Sequence, residues 1–297
     1  MKEKLKGLVP VMLTPLNQQG HPDVEGIHKL INFHATVGSS GLWVLGSAGE
    51  DIHLSWEDRV IVAQETIKAN DNRLQLFIGV GQASFYEIMS FCEAIEYSKI
   101  RAIHFLPYDI KMGRSQLISY CIKVADALPC PLWLYHNPKR GNVLTVNILR
   151  ELKDHPNISG IKVGGYNLTE ITHAMMLRSS QFEVIGAGGG QLFQLLCLGA
   201  KAHTTSEGCC YPEPFLDVFS LFEQGKLEEA RTLQFKIIEL ANKLPRTENG
   251  EYAAEEKYIL AKRGICQEHV VPAFRKLTSK EKQITDRALK EFGFQWA

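Results

Sequence analysis

The sequence predicts an α/β protein, a closed (β/α)8 TIM barrel followed by a C-terminal accessory helical region. Three observations carry this reading. Apolar, β-branched or aromatic runs recur about eight times at intervals of roughly 30 residues. The segments between them hold apolar residues at spacings of three and four with polar opposite faces, which is the helix pattern. After Pro214 that helical pattern continues with no strands between. Strands that are apolar on both faces are buried on both, as in a parallel sheet covered by helices. The open, doubly wound sheet is the alternative, and the count of eight units favours the barrel.

The elements follow in order. "MKEKLKGLVPVMLTP" begins like a signal peptide, but Pro10 interrupts an apolar run much shorter than ~18 residues and no small-residue cleavage site follows. It reads as a first strand, "LVPVML" (8 to 13), with no membrane span. "PDVEGIHKLINFHATVG" is the first helix, and "GLWVLG" (41 to 46) the second strand. "LQLFIGV" (74 to 80) is the third, followed by the helical "SFYEIMSFCEAIEYSK". "AIHFL" (102 to 106), "PLWLY" (131 to 135), "SGIKV" (159 to 163) and "FEVIGAG" (182 to 188) continue the series. "AHTTS" (202 to 206), short and polar, is the eighth. The tail reads as about three helices: "FLDVFSLFEQGKLEEARTLQFKIIELANKL", "GEYAAEEKYILAKRG" and "SKEKQITDRALKEFG". The division is therefore a barrel over residues 1–220 and a helical region over 221–297. A chain of 297 residues suits one barrel of ~250 residues with such an extension.

Composition narrows the partner. Thirty-three Lys and Arg balance thirty-three Asp and Glu, so no global field draws nucleic acid or an anionic membrane surface, which points to a small molecule. Seven cysteines, odd in number and without a CxxC pair, disfavour a disulfide framework and a structural zinc site and suit a reducing cytosol. The ten histidines form no HxH or HExxH pair, so no metal site and no zinc-dependent chemistry is expected. His34, His53, His104 and His203 read as surface or satisfied core histidines.

The chemistry centres on "SGIKVGG" (159 to 165), where a lysine stands in an otherwise apolar strand. Active sites of such barrels lie at the C-terminal strand ends, and Lys162 falls near the end of the sixth. Burying an ammonium without a partner costs several kcal/mol, so a desolvated lysine tends toward the neutral amine, a nucleophile toward carbonyls. The plainer alternative is an outward-facing or ion-paired structural lysine. "GSAGE" (46 to 50) ends strand two with glycines that let backbone N–H groups approach an anion, beside the Ser47 hydroxyl; equally, glycine-rich turns commonly just end strands. Tyr135 ends strand five before "HNPKRG", whose loop carries Arg140; the tyrosine is a relay or an aromatic lid. An amine, a phenol, a hydroxyl and an anion-binding loop on one face are what imine chemistry on a 2-oxo acid requires.

With these motifs in order along nearly the whole chain, together with Thr14-Pro15, Pro107-Tyr108 and the helical tail, the sequence resembles the dihydrodipicolinate synthase and N-acetylneuraminate lyase family of class I aldolases. The resemblance implies that Lys162 forms the Schiff base with pyruvate, that Tyr135 relays protons and that Ser47 assists it. It implies no cofactor, and a homotetramer built as a dimer of dimers. Ala48, Arg140, Tyr108 and Gly188 are the expected substrate-binding positions, with Tyr108 next in line for the relay. Departures from the family pattern stand beside the matches. Ala48 replaces a common threonine, removing one hydrogen bond to a charged group worth ~1.5–3 kcal/mol. Asp109 stands where synthases carry a second tyrosine that crosses a subunit interface, His136 replaces an asparagine, and "GAGGG" replaces an end that often carries acids.

These departures bear on the second substrate. Gly188, Gly189 and Gly190 supply space but no side chains for a row of hydroxyls, while Arg140 can clamp a carboxylate or, alternatively, pair with an acid at the loop. The expected activity is condensation of pyruvate with, or its release from, a short or weakly hydroxylated aldehyde, with a carboxylate or other acceptor group near Arg140. The alternatives are the 4-hydroxy-tetrahydrodipicolinate synthase of lysine biosynthesis and a barrel that binds 2-oxo acids without turnover.

Overall fold

Eight parallel strands close a barrel in the computed structural model, which describes residues 4–81, 84–108, 110–245 and 253–296. The strands are β1 (Gly7–Leu8), β2 (Gly41–Val44), β3 (Gln75–Gly79), β4 (Ala102–Phe105), β5 (Leu132–His136), β6 (Ile158–Val163), β7 (Glu183–Ala187) and β8 (Ala202–Thr204). Each of β3 to β8 pairs with its predecessor, and β1 pairs with β8. The seam between β1 and β2 is closed by a parallel bridge between Val11 and Trp43, with Trp43 N–H donating to Pro10 and Met12 N–H to Trp43 at 2.8 and 2.9 Å. The expected closed barrel is the observed one.

The first strand is shorter than the run 8 to 13. Pro10 has no N–H to give the ladder, so regular pairing ends at Leu8, although Val9 and Val11 still donate to His203 and Thr205 of the neighbouring strand segment.

Helices α1 (Val24–Val37), α2 (Trp56–Asn70), α3 (Phe85–Glu93), α4 (Arg114–Ala127), α5 (Val146–Leu152), α6 (Leu168–Met175) and α7 (Leu192–Cys197) connect successive strands. Asp23, Ser55, Ser84, Thr145 and Asn167 begin α1, α2, α3, α5 and α6, each side chain accepting the N–H three residues on. After β8 come the single turn α8 (Glu207–Cys210) and then α9 (Glu213–Glu223) and α10 (Leu227–Lys243). The long helical pattern expected from 215 onward is thus two helices. Gly225 breaks it with φ of 75°, a left-handed conformation that glycine adopts freely, and α9 runs across residue 220. Helices α11 (Ala254–Lys262) and α12 (Ser279–Phe292) complete the tail. No helix among the described residues is long and apolar enough to cross a membrane.

Aromatic side chains fill the barrel beneath its mouth. Trp43, Phe77 and Trp133 come from β2, β3 and β5, with ring centroids 4.8–6.2 Å apart. Gly160 on β6 makes room for them: a Cβ there would lie 2.6 Å from the Trp133 ring. The floor under the C-terminal strand ends is therefore filled by aromatic rings.

Candidate active site

Lys162 and Tyr135 are partners in the parallel register of β5 and β6, so their side chains leave adjacent strands at the same height. Lys162 is 2% exposed. Its Nζ lies 4.8 Å from the ring centre of Trp43 and 4.5 Å from that of Tyr135. Among the described residues no carboxylate forms an ion pair with it. Burial without a paired charge pulls the amine down to about 7, with only the charge of Asp51 opposing. The expected buried lysine near the end of strand six is thus present, and it does not face outward.

Ser47 reaches this pair from the loop after β2. Its Oγ and the Tyr135 hydroxyl are 3.3 Å apart. The loop is a 3-10 turn over Ser47–Gly49 in which Gly49 and Glu50 return their N–H groups to Gly46 and Ser47. The first N–H groups of such a turn have no acceptor within it, which leaves those of Ser47 and Ala48 at the cavity. Thr14 ties the loop down by donating to the Gly49 carbonyl at 2.7 Å. Leu45, just before the loop, has φ of 54°, a strained conformation for a bulky residue, and Glu50, just after the turn, has φ of 60°.

Asn137, which the sequence reading passed over, donates to the Tyr135 hydroxyl at 3.3 Å. Burial raises the Tyr135 pKa, with Ser47 and Asn137 opposing through their hydrogen bonds. The phenol is held as a proton donor and acceptor between two partners. His136, in the departing position of the motif, points away from this chemistry: its Nδ1 accepts Leu144 N–H at 3.1 Å and its ring packs on Tyr166, which fixes the loop carrying Asn137 to Gly141. Burial keeps His104, on the Trp43 face at 4.1 Å, at about 3 and His203 at about 4, so both are neutral core imidazoles.

A cavity of about 590 Å³ opens over Lys162 at the strand ends. Ser47, Ala48, Tyr135, Lys162 and Gly188 all line it, as does Asn137. Tyr108 and Arg140 do not. Both are drawn to Asp51, a buried carboxylate two residues beyond Gly49: the Tyr108 hydroxyl donates to it at 2.8 Å and Arg140 Nη1 at 3.0 Å. The ion-pair alternative for Arg140 is the observed arrangement, and the guanidinium stands outside the cavity. Asp109 lies outside the described residues.

The cavity's far side is built by the loops after β7 and β8 and by α10. Gly188, Gly189 and Gly190 leave space, as expected, but Thr205, Ser206 and Glu207 stand beside them, and α10 adds Ile238, Ala241 and Asn242. The polar groups absent from the strand-seven end come from the segment after β8. Among the described residues, no group of three or more His, Cys, Asp or Glu is arranged to hold a metal ion. The arrangement is suited to a neutral amine attacking a carbonyl, with a hydrogen-bonded phenol positioned for proton transfer.

The chain matches the family model "Dihydrodipicolinate synthetase family" over residues 4–292. The 4-hydroxy-tetrahydrodipicolinate synthase of Methanospirillum hungatei is 29% identical over 236 residues, covering 78% of this chain and 81% of that protein. Among solved structures, dihydrodipicolinate synthase from Bacteroides thetaiotaomicron superposes with a TM-score of 0.91 at 24% identity, over 98% of this chain and 100% of the other. A prophage protein of the dihydrodipicolinic acid synthase family from E. coli, solved in complex with pyruvate, does so with a TM-score of 0.88 at 23% identity, over 97% and 98%. At these identities the two structures speak for the fold, while the family model spans nearly the whole chain. The chain therefore belongs to the dihydrodipicolinate synthetase family, pyruvate-dependent class I aldolases that work through a Schiff-base lysine.

Proposed function

We propose that Lys162 is the Schiff-base lysine, that Tyr135 is the proton relay assisted by Ser47, and that the chain condenses pyruvate with a short aldehyde or releases it from the corresponding 4-hydroxy-2-oxo acid. The observation that carries this reading is the buried, unpaired amine of Lys162 in register with Tyr135. Near pH 7 a substantial fraction of that amine is neutral. It adds to C2 of pyruvate, and loss of water leaves a protonated imine that acidifies C3. Loss of a C3 proton gives the enamine, whose C3 attacks the aldehyde carbon, and Tyr135 delivers a proton to the new alkoxide. Water then hydrolyses the imine and frees Lys162. In the reverse direction Tyr135 takes the alcohol proton as the carbon–carbon bond breaks. The N–H groups of Ser47 and Ala48 hold the pyruvate carboxylate.

The glycines at 188 to 190 give the acceptor room, and the few polar groups opposite them suit a short, weakly hydroxylated aldehyde better than a long polyol. Arg140, engaged by Asp51 and outside the cavity, braces its loop and is not a clamp on the acceptor. This weakens the second reading, the 4-hydroxy-tetrahydrodipicolinate synthase activity that names the M. hungatei relative. Seven free thiols suit a reducing cytosol. A homotetramer, a dimer of dimers, belongs to the same reading, and Ile110, 75% exposed in the segment after β4, gives it apolar surface to cover.

The test is reduction with borohydride in the presence of pyruvate. Only an imine is trapped, so intact mass should gain one reduced three-carbon unit and peptide mapping should find it on Lys162. No pyruvate-dependent adduct, or one on another lysine, refutes the assignment. An adduct without turnover of any aldehyde would favour a binding protein.

A further inference from the structure

The loop that carries Ser47 and Ala48 is held from outside the barrel. Leu45 before it and Glu50 after it both have positive φ, 54° and 60°, and such a conformation persists only where the surroundings enforce it. Thr14 secures one side through the Gly49 carbonyl. Glu50, 1% exposed, secures the other: its Oε2 accepts Val271 N–H at 2.7 Å from 221 residues away, and its second oxygen forms the ion pair with Lys257 of α11. Lys257 Nζ also donates to the His269 carbonyl at 2.7 Å, so the loop, the helix and the segment 269–271 close into one knot. Phe274 adds a further contact from the same stretch, its ring edge-on to that of His53 with centroids 5.0 Å apart.

We propose that Glu50 and Lys257 are positioning residues for pyruvate: together they fix the Ser47–Ala48 loop where it meets the substrate carboxylate, so that the C-terminal helical region completes the site. The proposal rests on the reading in which this loop holds the carboxylate of pyruvate. Neither side chain lines the cavity, so both act through the loop. A buried ion pair adds little stability over two apolar side chains of like volume, but it fixes one geometry where apolar packing tolerates several. A binding loop needs that single geometry. Its groups have to be held within ~0.5 Å of their productive placement, and a three-residue turn bracketed by two positive-φ residues does not supply such rigidity by itself. Ser47 registers the alignment, since its Oγ stands 3.3 Å from the Tyr135 hydroxyl. Releasing Glu50 therefore loosens the loop without removing any group that touches the substrate.

Pyruvate and acetone test this, because both offer Lys162 a methyl ketone and only pyruvate has the carboxylate. Each is trapped on the protein with cyanoborohydride over a range of concentrations, and peptide mapping identifies the lysine modified. In Lys257→Met the half-saturating concentration of pyruvate should rise about tenfold, as for a misplaced hydrogen bond to a charged group, while the rate with acetone changes less than about twofold. Glu50→Leu combined with Lys257→Met removes both charges together. It strands no carboxylate, so its urea midpoint should exceed that of Lys257→Met, yet its preference for pyruvate over acetone should be equally low. The double variant also carries the test if the single one fails to fold. An unchanged preference in the variants, an equal loss with both ketones, or a preference that recovers along with the urea midpoint would overturn the proposal and leave the aldolase reading intact. Absence of a pyruvate adduct on Lys162 of the native protein would overturn both.

Discussion

Two of the described lysines are almost wholly buried, Lys162 in the barrel at 2% exposure and Lys257 in α11 at 0%, and they have opposite surroundings. Lys257 has an ion pair with Glu50 and donates to the His269 carbonyl at 2.7 Å. Glu50 in turn accepts Val271 N–H at 2.7 Å, so every group in this knot has a partner. Burial pulls the Lys257 pKa down, and Glu50 opposes the pull with a charge and a hydrogen bond. Lys162 has aromatic faces instead, and Asp51 influences it without pairing with it. Burial is common to both; the partner separates a structural cation from the proposed nucleophile. The two are joined through one loop, since Glu50 directly follows the turn that presents Ser47 and Ala48.

Replacing both lysines by methionine should split the two roles most widely. Lys162→Met should reduce pyruvate trapping to background while leaving the urea midpoint unchanged or higher, because a buried polar group without a partner gives way to an apolar one. Lys257→Met strands the Glu50 carboxylate and should cost ~3–5 kcal/mol of stability, with trapping still occurring on folded protein. The pair Glu50→Gln with Lys257→Met should regain much of that loss. If Lys162→Met were the destabilised variant and Lys257→Met the inert one, the comparison would fail.

A smaller effect is expected on the strand next to the amine. Tyr135→Phe removes the hydroxyl held by Ser47 and Asn137 and should cut turnover by ~100-fold or more, while pyruvate still forms its trapped adduct. Near-native turnover would move the relay elsewhere, with Tyr108 the next position to examine.

The pH profile sharpens the comparison by the smallest step. With Lys162 at about 7, the neutral amine predominates above that pH and is lost below it. The initial rate of trapping should therefore fall by about tenfold per pH unit on the acid side and level off above neutrality, whereas an ordinary lysine near ~10.4 would keep gaining through pH 9. A rate still climbing steeply at pH 9 would mean that the amine is not depressed.

Much of this site was legible in the sequence because its parts sit on strand ends. Apolar runs mark the strands, and a lysine inside one, a tyrosine at the end of another and a glycine-flanked serine after a third are visible without coordinates. What was not legible depends on side chains meeting across long separations. Asp51 gathers Tyr108 and Arg140 from 57 and 89 residues away, and no local pattern announces that. The glycines at 188 to 190 read as missing side chains, since only the folded chain brings Glu207 against Gly189. Asn137 was within reach: a side-chain amide two residues past a strand-end tyrosine is a natural partner for its hydroxyl. The first strand and the tail diverged from the pattern for backbone reasons, a proline without an N–H and a glycine in the left-handed region.

Trp43, whose indole face lies 4.8 Å from Lys162 Nζ, has an optical consequence. In the proposed mechanism imine formation exchanges a partly neutral amine for a fixed positive charge against that ring, and a charge on the face of an indole changes the energy of its excited state as well as stabilising the cation. Because Trp43 is fully buried, water does not blur its emission. Mixing the protein with pyruvate should therefore change its intrinsic fluorescence with the time course of the covalent step, without any added dye or second substrate. Lys162→Met should abolish that transient, and the chain would then have timed its own chemistry by light.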